Sequence, residues 1–194
     1  MKQSGFTLIE LLVVLAIAII ITTTAVPSFR SFIQNNRIST SAHQFVSSLN
    51  LARSEAVKRG ERVTMCKSSN SSTCSNAGGW EQGWIVFVDN NDNGLREAGT
   101  EELIRTQGAL GGSTTLAGQD DVDNHISYAG TGFAQLVSGG TLNINKSTLL
   151  LCDSRNFGDH ARAIIISTTG SVRSTSATDA SVNAALRSAA TCSI

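Results

Sequence analysis

Charge is scarce in this chain. Only 15% of its 194 residues are Asp, Glu, Lys or Arg, and 15 basic residues cancel 15 acidic ones to leave a formal charge of zero. Composition therefore shows no broad basic field of the kind that follows a nucleic-acid backbone. Catalytic patterns are missing as well. Serines abound, but none sits in a G-x-S-x-G elbow or beside a recognisable base. His43, His125 and His160 stand in stretches without the neighbours of a metal site or a triad. Nothing in the sequence supports an enzyme, and no cofactor is expected. The four cysteines, Cys66, Cys74, Cys152 and Cys192, form no paired C-x-x-C units, which argues against a zinc ribbon. Low charge with abundant Ser, Thr, Asn and Gly favours an exported or surface-exposed β-rich domain, and outside the inner membrane an even cysteine count favours two disulfides. Of the three connectivities, Cys66–Cys74 closing a small polar loop and Cys152–Cys192 tying down the C-terminal tail is the preferred one; four buried thiols is the alternative.

What the chain does have is concentrated at its N-terminus. Residues 1–26 read MKQSGFTLIELLVVLAIAIIITTTAV. The short basic leader ends in Gly5, and the apolar stretch begins at once with Phe6. A secretory signal would carry its small-residue cleavage site after the apolar stretch, whereas here the small residue precedes it and no A-x-A site follows. The 21 residues 6–26 match the roughly 20 needed to span a bilayer. Lys2 assigns the N-terminal end to the cytoplasm by the positive-inside rule. Glu10 lies within the apolar run, where a carboxylate is costly and calls for a partner.

Gly5-Phe6-Thr7-Leu8-Ile9-Glu10 resembles the prepilin cleavage and methylation motif of type IV pilins and type II secretion pseudopilins. The resemblance implies that prepilin peptidase cuts between Gly5 and Phe6 and methylates the new Phe6 amine. It further implies that the Glu10 carboxylate pairs with the N-terminal amine of a neighbouring subunit in a filament. An ordinary single-span anchor with one stray acid is the alternative reading.

Beyond the span, Pro27 predicts a kink near the membrane surface. Phe29, Phe32, Ile33, Phe45, Val46, Leu49, Ala52, Ala56 and Val57 then recur at mostly three- and four-residue steps. This spacing predicts an amphipathic continuation of the helix over 27–60, stopped by Gly60. Strand-like runs follow at 62–67, 84–89, 102–106, 125–128, 132–137, 148–152 and 163–168, separated by turn-rich segments. The expected architecture is α+β, with a long N-terminal helix on a mainly antiparallel sheet and one globular domain over 61–194. That is also the pilin fold. The tail from Thr178 to Ala190 has helical spacing and would dock on the sheet through Cys192; a disordered Ser/Ala-rich tail is the competing view.

Gly79-Trp80-Glu81-Gln82-Gly83-Trp84-Ile85-Val86-Phe87-Val88-Asp89 is similar to the GW…GW-x-V-F-x-D signature of the GspH/FimT group. Cys152-Asp153-Ser154-Arg155, the run 161–166 and Gly170-Ser171-Val172-Arg173 resemble FimU-type minor pilins. The resemblance implies a low-abundance structural subunit stored in the inner membrane with a periplasmic domain. It would join other minor pilins, the major pilin and the inner-membrane assembly machinery to prime a type IV pilus at or near its tip, supporting twitching motility and adhesion. A type II secretion pseudopilin, a DNA-binding pilus subunit, a major pilin and a membrane-anchored enzyme are the rivals. FimT-type relatives bind DNA through a Gly-Arg-x-Arg motif; here the segment reads Gly170-Ser171-Val172-Arg173, so the first arginine is absent. Arg155, Arg162, Arg173 and Arg187 are weak candidates for phosphate contacts. Asp89, Asn91, Asn93 and Gly94 fit the opening of a calcium loop, but Thr100 stands where its closing acid belongs and Glu101 is one residue late. A metal-free turn is the preferred reading there. Trp80 and Trp84 are expected to pack in the core or in a hairpin, with subunit contact as the alternative.

Overall fold

The computed structural model describes residues 5, 7–137, 142, 147–155, 157–179, 182 and 192. The chain divides into two compact units, Met1–Asn36 and Arg37–Ile194, and one helix, α1 (Leu8–Arg59), contributes to both. Helical geometry persists through Pro27. In the apolar part the hydroxyls of Thr22, Thr23 and Thr24 donate to carbonyls three or four residues earlier, so these three are satisfied within the helix. At its far end α1 stops where the sequence requires. Gly60 takes φ 71°, and its N–H donates to the Ala56 carbonyl at 2.9 Å.

The second unit carries two antiparallel sheets where one was expected. The first has the order β3-β2-β1-β5-β6, built from β1 (Val63–Lys67), β2 (Trp84–Val88), β3 (Leu103–Gln107), β5 (His125–Tyr128) and β6 (Ala134–Gln135). The second has the order β4-β7-β8-β9, built from β4 (Thr115–Gly118), β7 (Thr148–Cys152), β8 (Arg162–Ile166) and β9 (Val172–Ser176). Strands β4 and β9 are absent from the sequence reading, and 132–137 shrinks to the two-residue β6. TLAG is only four residues long with a single large apolar side chain and VRSTS is mostly polar, so neither shows the apolar alternation that marks a half-buried strand, and each is an edge strand of its sheet.

Alternation explains how the sheets use both faces. In β1 and its neighbours, Val63, Met65, Trp84, Val86, Ile126 and Tyr128 join the core that α1 enters. On the opposite face lie Cys66, Ile85 and Phe87, packed with Leu103 and Cys74. The second sheet repeats the scheme. Leu149, Leu151, Ile164 and Ile166 join the α1 core, whereas Leu150, Cys152, Ala163 and Ile165 pack with Ala177, Val182 and Cys192. Both expected disulfides are present, Cys66–Cys74 and Cys152–Cys192. Each anchors a segment over an outer sheet face. Val182 and Cys192 are both buried there; the remainder of the proposed tail helix lies mostly outside the described residues.

From α1 the core receives Ile38, Ala42, Phe45, Leu49, Ala52 and Ala56, with Ser41 and Ser48 among them. The amphipathic stripe was expected to begin at Phe29. Instead Phe29, Phe32, Ile33 and Val57 are exposed, and burial starts at Ile38.

Candidate functional site

The N-terminal motif forms a helix cap. The Thr7 N–H and Oγ1 both donate to Glu10 Oε2 at 2.9 Å, and the Glu10 N–H donates to Thr7 Oγ1 at 3.3 Å. This reciprocal pair is a capping box, with Thr at the N-cap and Glu three residues on. It satisfies donors that the first turn of any helix leaves unpaired. Gly5 is exposed just ahead of it, and Phe6 lies outside the described residues. Beyond the cap, Leu11 through Ile21 present an exposed apolar surface. By length and composition this helix can cross a membrane.

The tryptophan signature is structural. Trp80, in a 3-10 turn (Trp80–Gln82), and Trp84, which opens β2, are both fully buried. Phe45 of α1 meets both edge-on, with ring centroids 5.3 and 5.0 Å away. The Trp80 indole N–H donates to the Val122 carbonyl at 3.0 Å. Gly83 between them has φ 114°, and a Cβ there would lie 2.5 Å from the Gln107 carbonyl oxygen, so no other residue fits. Glu81 was not singled out from the sequence, yet it links the tryptophan turn to the second sheet. Its Oε2 accepts the Leu116 N–H of β4 at 3.0 Å, and its Oε1 accepts the Gly79 N–H. The only sequence signal for it was its position inside the GW…GW motif.

Asp89 closes the signature. It is buried, and its carboxylate accepts from Thr64 Oγ1 at 2.7 Å, the Gly94 N–H at 3.0 Å and the Asn93 N–H at 3.1 Å. The other candidate calcium ligands are used the same way: Asn91 Oδ1 accepts the Asn93 N–H, and Asn93 Oδ1 accepts the Leu95 N–H. Glu101 accepts the N–H groups of Asn90 and Glu97. The oxygens that would face a metal thus organise the loop itself, the geometry of a turn. Burial pushes the Glu101 carboxyl above the usual range, while the Asn93 amide beside Glu97 holds that carboxyl below it. Among the described residues no cluster of three His, Cys, Asp or Glu side chains has metal-binding geometry.

The basic candidates do not converge. Arg155 is folded back on Asp153, with Nη2 to Oδ2 at 2.6 Å. Burial opposes ionisation of Asp153, but the hydrogen bonds from Arg155 outweigh it and leave the carboxyl below its ordinary value. Arg162 pairs across the strands with Ser176, and Arg173 pairs with Ile165. Strand alternation therefore puts these two arginines on opposite faces of the second sheet. Arg187 lies outside the described residues. Gly170 of the same segment is buried at φ 82°, and a Cβ there would run into the Gly132 carbonyl oxygen. Beside it, Arg53 of α1 donates from Nε to the Gly132 carbonyl at 3.0 Å and from Nη2 to the Thr169 carbonyl at 2.8 Å. One arginine thus ties a hairpin of each sheet to the helix; nothing in its sequence neighbourhood advertised this. His43 is exposed on α1, and burial pushes the imidazole of His125 below its ordinary value.

A family profile described as "Type II transport protein GspH" matches residues 41–170, and one described as "Prokaryotic N-terminal methylation motif" matches residues 1–26. Among solved structures, the type IV minor pilin FimU of Pseudomonas aeruginosa PAO1 is similar in two crystal forms. One has 19% identity and a TM-score of 0.51, covering 73% of this chain and 90% of FimU. The other has 17% identity and a TM-score of 0.50, covering 73% and 94%. The minor pseudopilin EpsH from the Type 2 Secretion System of Vibrio cholerae aligns at 14% identity and a TM-score of 0.47, covering 74% and 99%. No curated protein matches significantly. At such identities the structural likeness shows the fold, a pilin fold; the profile, covering most of the second unit and complemented by the methylation motif, shows that the chain belongs to the GspH family of minor pilins and pseudopilins.

Proposed function

We propose that this protein is a minor pilin of a type IV pilus. It is a structural subunit that primes assembly and sits at or near the tip, supporting twitching motility and adhesion. The observation that carries this reading is the bare helix. From Leu11 to Ile21 α1 exposes an unbroken apolar surface headed by a methylation motif, while the globular unit completes its own core with the later part of the same helix. Such a segment needs a bilayer or a bundle of like helices around it. In this account prepilin peptidase cuts after Gly5 and methylates Phe6. The mature helix rests in the inner membrane with its N-terminus cytoplasmic, over residues 6–26, and the domain over 61–194 lies in the periplasm. On assembly Glu10 exchanges its bonds to Thr7 for the N-terminal amine of a neighbouring pilin. The likeness to the type IV minor pilin FimU supports the pilus assignment. The description of the matching family, a type II transport protein, supports a secretion pseudopilin as the second reading.

The experiment is a clean deletion complemented with wild type or Glu10→Ala, scored for surface pili, twitching and exoprotein secretion. The pilus reading expects pili and twitching to be lost with secretion intact, restored by wild type and not by Glu10→Ala. Lost secretion with normal pili would make the protein a pseudopilin.

A further inference from the structure

Phe29, Phe32 and Ile33 form an apolar surface that the described chain leaves open; the two phenylalanines are each 65% exposed. At about 100° per residue these three fall roughly half a turn out of phase with Ile38, Phe45 and Leu49. The stripe that enters the core and this one therefore cannot share a single cover. Arg30 lies beside it, exposed, and a shallow apolar notch at this level is lined by Ala25, Val26, Phe29 and Arg30. No Asp or Glu occurs between Glu10 and Glu55, so neither the neighbouring turns nor the same stretch of a second copy can neutralise that guanidinium.

The charges also have a spacing. Glu10 and Arg30 bracket 19 uncharged residues, 11–29. At roughly 1.5 Å per residue these span about 30 Å, the thickness of the hydrocarbon layer. A register over 6–26 would instead hold Glu10 within the hydrocarbon and leave Phe29 and Phe32 in water. Sliding the helix by a few residues lets Glu10 reach the inner headgroups and sets the phenylalanines at the outer boundary. We propose that Glu10 and Arg30 set the membrane register of this helix, with Arg30 binding the phosphate of an anionic phospholipid at the outer surface of the bilayer. Phe29, Phe32 and Ile33 then fill the boundary between headgroups and acyl chains. This inference rests on the membrane-anchored reading above and replaces its 6–26 register with one over 11–29.

The test uses the full chain in vesicles of phosphatidylcholine with phosphatidylglycerol. All four native cysteines are paired, so a single introduced cysteine gives a unique labelling site. Fluorophores at Ala16→Cys, Ile20→Cys and Phe32→Cys are quenched by lipids spin-labelled at graded depths. The expected result is a deepest label at position 20, a headgroup-level label at position 32, and stronger quenching there by spin-labelled phosphatidylglycerol than by phosphatidylcholine. Arg30→Gln should reduce that preference about fivefold, the effect of one arginine at an anionic surface. A deepest label at position 16 with position 32 in water would overturn the register while leaving the anchor intact. Equal quenching by both headgroups would overturn the arginine's role. If lipid quenchers reach none of the three positions, the anchor reading itself fails.

Discussion

Residues 8–36 and 37–59 belong to one helix, yet they meet different surroundings. In the first stretch leucines, isoleucines, valines and two phenylalanines stay exposed. In the second, a stripe of smaller side chains with Ile38, Phe45 and Leu49 is buried in a core shared with residues of both sheets. The difference lies in patterning rather than in hydrophobicity. From Leu11 to Ile21 the first stretch is apolar all round, as suits a segment surrounded by lipid or by other apolar helices. The second alternates, and its small residues, Ala42, Ala52 and Ala56, let the strands approach closely. Ser41 and Ser48 share that buried stripe, and Ser48 Oγ donates back to the Gln44 carbonyl at 3.0 Å, which removes the cost of burying it.

The contrast can be broken most directly at Phe45. Truncation to Ala should destabilise the globular unit by about 3–5 kcal/mol, because it empties the space between Trp80 and Trp84. Phe29→Ala should change it by less than about 0.5 kcal/mol. Urea unfolding of both variants, followed by tryptophan fluorescence, makes the comparison; equal effects would mean that the two stretches are not distinct. Next in size is the pair Cys152→Ser with Cys192→Ser. Opening a loop of 40 residues should cost about 2–4 kcal/mol. It should also raise protease sensitivity at the C-terminal end, read by limited proteolysis.

Arg53→Ala sharpens the contrast from the helix side. Its bonds to Gly132 and Thr169 contribute about 1–2 kcal/mol, and faster amide exchange is expected at the two hairpins while the N-terminal stretch stays unchanged. The smallest effect belongs to the exposed ion pair between Arg59 and Glu102, bidentate at 2.6 and 2.9 Å. Arg59→Gln should lower the melting temperature slightly at low salt and less at high salt, as screening predicts.

Local chemistry made some of the molecule legible from sequence. The methylation motif, the end of α1 at Gly60 and strands such as β7 and β5 follow from short-range patterns. The tryptophan signature pointed to core packing, and both tryptophans are there. Other features depend on contacts distant in the chain. Phe29, Phe32 and Ile33 have helical spacing like that of Phe45 and Leu49, and only their phase separates the two sets. Strands β4 and β9 are short edge strands whose pairing, not their composition, makes them strands. Arg162 and Arg173 look like one basic cluster until the β8–β9 register sends them to opposite faces. Glu81 and Arg53 reach partners 35 and 79 residues away, beyond any local signal.

On the membrane-anchored reading, residues before the buried stripe serve the membrane or filament and contribute nothing to the globular fold. A chain beginning at Ser28, exported to an oxidising compartment and purified, tests it most directly. It is expected to be soluble, to hold both disulfides, and to unfold cooperatively at the same midpoint as the full chain in detergent. A truncated chain that aggregates, or that melts well below the full chain, would contradict the division.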